Sequence, residues 1–350
     1  MDHFGVTRAW VPGDREIMAS YKDIQRETGL SLATISKYFN GKTVLERNRT
    51  AIELAAQTLD YRPNDIARSL RRRRSSTVGV LLPALNNDFH LTIVASVEET
   101  LRAAGYSVIV ATSVESDGRA VELMLRRMVE GIITVPTPSD VAALRDVRGR
   151  LPIVVVDWEA PELHTDGVFL DNVAAGRMAG RHLLDHGHTR IALLGGERSV
   201  STMRQRRQGF LSALSEVGVC LPEEFDGAEP LVVSAGREAM ARMLGAPTRP
   251  TAVFCANYEL TVGAVIAINE SGLRIGREIS LVGFDGVDLA KVTVPPMTLI
   301  AQPTAAIGRG AAEILLQRLA AEPSDEAAPQ LTRLAPQFVA GGSVLRLDDP

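Results

Sequence analysis

Residues 77–113 read TVGVLLPALNNDFHLTIVASVEETLRAAGYSVIVATS. The two ends, TVGVLLP and SVIVATS, are near-continuous runs of Val, Ile and Leu, the pattern of strands buried on both faces. Between them, TIVASVEETLRAAG repeats its apolar residues at helical spacing. Strand, helix and strand in that order form a βαβ unit, and strands joined by such a crossover run parallel.

Downstream the pattern recurs. GIITVP (131–136), PIVVVDW (152–158), RIALLGG (190–196), AVFCAN (252–257) and ISLVGFD (279–285) are further strands, alternating with helices such as AAGRMAGRHLLDHG (174–187). These are enough units for two sheets. Ligands of open parallel sheets bind beyond the carboxyl ends of the strands, so the residues just after each strand are where a site is sought. At 350 residues the chain exceeds one hydrophobic core, which predicts a small domain beside one large or two medium ones.

Upstream the spacing differs. YKDIQRETG (21–29) is a short helix ending at Gly29, a residue suited to the left-handed conformation. Ser31 then offers an N-cap to LATISKYFN (32–40), whose Ile35 and Phe39 recur on one face, and Asn40-Gly41 stops it. A third helix, ERNRTAIELAAQTLDY (46–61), presents Ile52, Ala55, Ala56 and Leu59 on one side. Helices this short persist only when packed together. In a helix-turn-helix the second helix enters the major groove, which here projects Leu32, Ala33 and Lys37 toward base edges. Ser31, Thr34 and Ser36 supply hydroxyls for phosphates. On these residues alone, a three-helix protein-docking domain is the alternative.

The charge is uneven. Net charge is −4, yet residues 1–76 carry 14 Lys/Arg against 9 Asp/Glu, and the remainder 24 against 33. A basic head on an acidic body implies that only the head meets a polyanion. RPNDIARSLRRRRSST (62–77) concentrates the excess, and Ala67–Leu70 there has the makings of a short helix too weak to stand alone in water.

The composition, 45% apolar and 23% charged with both signs mixed, argues against disorder and against a membrane protein. No run of about 18 apolar residues exists. MDHFGVTRAWVPGDREIMAS has early acidic residues and no apolar core of a signal peptide, which places the protein in the cytoplasm. Cys220 and Cys255 lie far apart in neutral surroundings and read as buried small hydrophobes, giving neither a disulfide framework nor a thiolate metal site.

Catalytic signatures are missing. There is no phosphate loop of the Walker type, no GxSxG and no HExxH, and Gly195-Gly196 lacks the spacing of a dinucleotide fingerprint. His182 and His186 stand four apart with His188 close by, but no acidic or Cys ligand lies at matching spacing, so these read as surface or helix-end residues. No metal, no cofactor and no catalytic residue is expected.

Four segments in register, YKDIQRETGLSLATISKYFNGK, LDYRPNDIARSLRRRRSSTVGVLLP, FLDNVAAGRMAGRHLLDHGHTRIALLGG and ISLVGFDGVDLAKVTVPPMTLIAQP, resemble the LacI/GalR family of bacterial transcription regulators. The likeness runs from about Ser20 to about Leu345. It implies a homodimeric, DNA-binding repressor, not an enzyme, in the cytoplasm and at the nucleoid when bound to DNA. The implied fold is an all-α helix-turn-helix headpiece followed by an α/β core of two doubly wound parallel-sheet lobes like periplasmic binding proteins. The expected division is a mobile extension (1–19), the headpiece (20–61), a hinge helix and linker (62–76), a first lobe (77–170 plus 303–324) and a second lobe (171–302 plus 325–345).

The resemblance extends the DNA-binding set to Asn40, Tyr61, Asn64, Ala67 and Leu70. Paired hinge helices of the family push a leucine into the minor groove, here Leu70 beside Ala67, with Arg71–Arg74 as phosphate neutralisers. It also implies an effector site between the lobes, built from Phe89, His90, Asp157, Trp158, Arg206 in MRQRRQGF, Asn257, Asp285 and Gln302. Three positions depart from the family pattern. Asn257 is followed by Tyr258 in place of an Asp, Leu45 replaces a capping hydroxyl before the third helix, and Arg237 replaces an aromatic. Arg206 and Arg237 together leave an anionic effector open beside a sugar or related metabolite. A sugar-binding transport protein shares this core but has no use for residues 21–74, and a Rossmann-type enzyme lacks its fingerprint here. The C-terminal GGSVLRLDDP has no heptads for a coiled coil.

Overall fold

The computed structural model describes residues 19–61, 75–85, 87–113, 118–321 and 328–347. The expected mobile extension, up to its last residue Ala19, and the hinge residues Asn64, Ala67, Leu70 and Arg71–Arg74 lie outside the described residues. The chain divides into two compact units, Met1–Arg74 and Ser75–Pro350.

In the first unit, α1 (Tyr21–Thr28), α2 (Leu32–Phe39) and α3 (Glu46–Thr58) follow one another closely. The Asp23 carboxylate accepts hydrogen bonds from the backbone N–H of Ser20 (2.8 Å) and from its hydroxyl (2.6 Å), which opens α1. Gly29, at φ 66°, ends it. Ser31 then accepts from the N–H of Thr34, and Gly41, at φ 71°, follows the end of α2. The third helix has Leu45 at its N-cap, with no side-chain hydrogen bond there. Ile24, Ile35, Ile52 and Ala55 form the core, and Ala56 and Leu59 pack against it. Tyr21 stacks on Phe39 at 5.3 Å, so one aromatic wall ties α1 to the end of α2.

The second unit holds two six-stranded sheets among the described residues. The first contains β1 (Thr77–Leu82), β2 (Ser107–Thr112), β3 (Ile132–Thr134), β4 (Ile153–Val156), β5 (Asp166–Leu170) and β11 (Leu331–Leu334), in the order β11-β5-β4-β3-β1-β2. The second contains β6 (Ile191–Gly196), β7 (Asp226–Glu229), β8 (Ala252–Cys255), β9 (Ser280–Phe284), β10 (Thr298–Ala301) and β12 (Gln337–Val339), in the order β12-β10-β9-β8-β6-β7. Every pairing is parallel except that of β12 with β10.

Helices cover both faces of each sheet. Val78, Val80 and Leu82 of β1 pack with Ile93, Val97 and Leu101 of α4 (Asp88–Ala103) and with Ile307 and Leu315 of α12 (Thr304–Ala320). On the other face Leu81 meets Val121 and Met124 of α5 (Arg119–Arg126) and Leu144 of α6 (Pro138–Val147). The second sheet lies between α7 (Asn172–Asp185) with α8 (Ser201–Glu216) and α9 (Val233–Leu244) with α10 (Tyr258–Glu270). A short α11 (Val287–Val292) follows β9. All seven strands expected from Val/Ile/Leu runs are present; six are interior strands with almost every residue buried, as those runs require, whereas β2 is an edge strand with no fully buried residue.

The chain passes between the sheets three times: after β5, after β10 and after β11. The last crossing corrects one expectation. Residues 325–345 do not lie wholly in the second lobe, because Leu331–Leu334 pairs in parallel with Gly167–Leu170 and extends the first sheet.

Candidate functional site

In the headpiece, the capping of α2 fixes which side chains face outward. Ile35 points into the core, which leaves Ser31, Leu32, Ala33 and Lys37 exposed along the opposite side. Thr34 and Ser36 are half-buried; the hydroxyls of Ser31 and Thr34 lie 2.9 Å apart. Asn40 donates to the carbonyl of Ser36 (2.7 Å) and to its hydroxyl (3.1 Å). Tyr61 belongs to the aromatic wall, its ring 5.0 Å from that of Phe39. The hydroxyl-bearing N-terminus of α2 and Lys37 thus share an exposed surface suited to a phosphate backbone and a groove.

In the second unit a cavity of about 620 Å³ opens at the carboxyl ends of both sets of strands. Eight of the nine expected effector residues line it: Phe89 and His90 from the start of α4, Asp157 and Trp158 after β4, Arg206 on α8, Asn257 before α10, Asp285 after β9, and Gln302 after β10. Arg237 does not. It lies on the outside of α9, 52% exposed, with its Nε donating to Glu270 at 2.8 Å. The reason is close packing. Gly236 abuts Leu260 of α10, where an added Cβ would come within 2.8 Å of the Leu260 Cα, so its neighbour Arg237 is directed along the surface of the helix pair. The expected pairing of Arg206 with Arg237 is therefore wrong.

Arg206 is only 3% exposed. Its Nε donates to Asn172 Oδ1 (2.8 Å), its Nη1 donates to the Ala256 carbonyl (2.7 Å), and its guanidinium lies 3.7 Å over the Phe284 ring. Packing of α7 on α8 sets this position: a Cβ at Gly176 would fall 1.8 Å from the Arg206 carbonyl oxygen, and one at Gly209 would fall 1.9 Å from that of Val173. Only glycine permits that approach.

The two carboxylates come from opposite lobes and share an unusual backbone. Asp157 (φ 63°) and Asp285 (φ 56°) are both left-handed non-glycine residues directly after a strand, a strained conformation concentrated at binding sites. Asp285 accepts from the backbone N–H and from Nε2 of Gln302, both at 2.9 Å. This bond meets the loop-bracing role open to these two side chains while leaving both on the cavity wall.

Desolvation dominates the electrostatics. Burial pushes the carboxyls of Asp157 and Asp285 up, against the pull of Arg206, and pushes the Arg206 guanidinium down, against the two aspartates. Burial also lowers His90, against the pull of Asp157, which favours a neutral imidazole. His90 Nδ1 and Gln302 Oε1 are buried on this wall without a protein hydrogen-bond partner. The cavity thus offers a donor fork, two acceptor pairs and unpaired polar atoms around apolar surfaces of Phe89 and Trp158.

Asn87, Thr202 and Glu259 also line the cavity and were not anticipated. Asn87 caps α4 by accepting from the N–H of Phe89, and its Nδ2 donates to Glu259 Oε1 (3.2 Å) on the other lobe. Each of these residues sits in a segment following a strand, so the strand-end rule applied to every strand reaches them.

The histidine group is structural. His182 and His186 rings lie 4.3 Å apart and His182 is 4.7 Å from Phe338, while buried His188 bridges the Thr251 hydroxyl (2.9 Å) and the Leu345 carbonyl (3.0 Å). Among the described residues no cluster of three or more metal-ligating side chains occurs, and no helix is long and apolar enough to cross a membrane. Cys255 is buried as expected, but Cys220 is exposed, since it follows α8 in the surface turn at Gly218.

A family model described as a periplasmic binding protein-like domain matches residues 181–344. The ribose operon repressor of Haemophilus influenzae is 33% identical over 306 residues, covering 86% of this chain and 92% of the relative. The transcriptional repressor PurR of Mannheimia succiniciproducens is 31% identical over 339 residues, covering 94% and 100%. A crystal structure of the lac repressor dimer bound to operator and an anti-inducer is similar with a TM-score of 0.82 and 26% identity, over 94% of this chain and 99% of that one. These relatives match in order along headpiece and core alike, and the chain belongs to the LacI/GalR family of bacterial transcriptional regulators.

Proposed function

We propose that this protein is a sequence-specific, DNA-binding repressor that works on the chromosome as a homodimer and is switched by a small, neutral, hydroxyl-rich metabolite held between its core lobes. The observation that carries the effector class is the charge arrangement of the cavity. One buried guanidinium, Arg206, faces Asp157 and Asp285, and the rest of the wall adds Asp88, Glu259 and Asp288. A polyol donates to the carboxylates and accepts from Arg206, which relieves charges that burial has left under-solvated. An anion meets one guanidinium and four carboxylates besides Asp288, whose exposed charge is paired with Lys291 at 2.9 Å, so the anionic alternative loses its support together with Arg237. The faces of Trp158 and Phe89 suit the apolar side of a sugar ring.

At the operator, Leu32, Ala33 and Lys37 read base edges while Ser31, Thr34, Ser36 and Asn40 hold phosphates, with Tyr61 and Asn64 close to the backbone. Ala67 and Leu70 act as the minor-groove wedge, and a dimer presents two such readers to a palindromic site. Effector binding alters whether the paired hinges fold on DNA, and it does so only through its different affinity for the two states.

The test is selection of bound genomic fragments, followed by titration of the recovered operator with ribose, other neutral pentoses and hexoses, purine bases and sugar phosphates. Ribose comes first because ribose operon repressors are among the relatives. The expected result is a palindromic operator whose affinity shifts about tenfold or more with a neutral compound. Failure to retain any fragment at low ionic strength overturns the repressor reading; a response to sugar phosphates alone overturns the effector class.

A further inference from the structure

Outside the cavity, a second set of polar side chains joins the lobes. Glu159, in the first lobe, lies two residues beyond the cavity's Asp157. Its Oε1 accepts from Arg333 Nη1 at 2.6 Å and from Gln205 Nε2 at 3.3 Å. Gln205 belongs to the second lobe, where it immediately precedes Arg206 on α8; a helical step of about 100° turns one side chain to the cavity and the next to Glu159. Arg333 is on β11, one residue before the chain leaves the first sheet for the last time, and its guanidinium lies 5.8 Å from the Phe169 ring. Neither Glu159, Gln205 nor Arg333 lines the cavity.

We propose that Glu159, braced by Arg333 and engaged by Gln205, is a positioning latch that holds the two lobes together and so sets how long the cavity retains its effector. The proposal rests on the reading of the cavity as the effector site, but the latch itself acts in the empty protein. Each lobe carries a cavity-facing residue next to a latch residue, Asp157 with Glu159 and Arg206 with Gln205, so closure and ligand contact are linked through single turns of chain. The carboxylate is fixed from its own lobe by an ion pair and offers the same oxygen across the gap, which makes Gln205 the member that breaks when the lobes part. A charged acceptor gives that bond more strength than a neutral pair.

The effector-free full chain tests this. Labels are placed on the exposed native Cys220 of the second lobe and on an introduced Arg127→Cys in the first, and the label separation is measured by pulsed electron spin resonance. Gln205→Ala and Glu159→Ala are expected to broaden the separation toward longer distances, with the double variant no longer than either single one. Gln205→Glu sets two carboxylates face to face and is expected to open the lobes further than Ala. Gln205→Arg replaces the hydrogen bond by an ion pair and is expected to narrow the distribution. With a neutral sugar found to bind the wild type, Gln205→Ala is expected to raise the dissociation rate roughly three- to tenfold, the scale of one hydrogen bond to a partly exposed charge. An unchanged separation in every variant, additive effects of the two Ala substitutions, or a shift of Gln205→Glu and Gln205→Arg in the same direction overturns the latch. Those distances are read without ligand, so they decide the latch even where a failed sugar screen overturns the effector class.

Discussion

Asp157 shows how a single side chain can be poorly suited to stability and well suited to binding. Its carboxyl is pushed up by burial, only partly offset by Arg206 and His90, and its backbone sits at φ 63°, where asparagine is more at ease. Asp157→Asn keeps the shape and removes the buried charge. At neutral pH the variant is expected to melt roughly 2–4 °C above wild type, the scale of about 1 kcal/mol in a large domain, while losing effector affinity. Because the folded-state pKa is raised, the wild type's deficit is full above that pKa, shrinks as pH falls below it, and vanishes only below the ordinary carboxyl value of the unfolded chain; melting curves across acid pH should converge. Leu45 is the reverse case. It is 62% exposed at the N-cap of α3 and leaves the orphan N–H groups there without a side-chain acceptor. Leu45→Ser is expected to stabilise the headpiece by about 1 kcal/mol, visible as a higher helical melting temperature. The missing cap was legible in the sequence, since no side chain of Leu can accept a hydrogen bond. The exterior position of Arg237 was not, because it depends on how closely α9 approaches α10.

At the level of helices and strands, legibility followed burial. Six of the seven strands rich in Val, Ile and Leu announce themselves because both faces are covered, and β2, an edge strand, by its Val-Ile-Val run alone, whereas β7 (Asp-Gly-Ala-Glu) and β11 (Leu-Thr-Arg-Leu) are edge strands with exposed positions and a composition shared with loops. Sequence spacing therefore located the cavity at the strand ends but could not assign residues 331–334 to a sheet. Helix packing carries its own prediction. The glycine contact between α7 and α8 places Arg206, so Gly176→Ala forces α8 outward or removes the arginine from its bonds to Asn172 and Ala256. Calorimetry is expected to find effector binding lowered by at least about tenfold, and gel retardation is expected to find operator binding retained but no longer responsive to effector.

For the whole molecule, charge separation between the two units governs how it meets DNA. Residues 1–76 have a net charge of +5 and the remainder −9, so the core opposes and the head favours approach to a polyanion. With six Arg between residues 62 and 74, operator affinity is expected to fall by orders of magnitude between about 50 and 200 mM salt, as release of several counterions requires. Fluorescence anisotropy over that range measures the slope, and replacing Arg71–Arg74 by Gln is expected to flatten it by up to about four times the single-contact value.

The threefold passage of the chain between the sheets also dictates an order of events during synthesis. The three helices of the head are complete once the first sixty-odd residues have left the ribosome, and their described core is built from residues within that stretch. Neither sheet is complete until translation nears its end, because β11 and β12 supply the outer strand of one and then of the other within nine residues. Ribosomes that stall or terminate early therefore release a folded helical head tethered to an incomplete core.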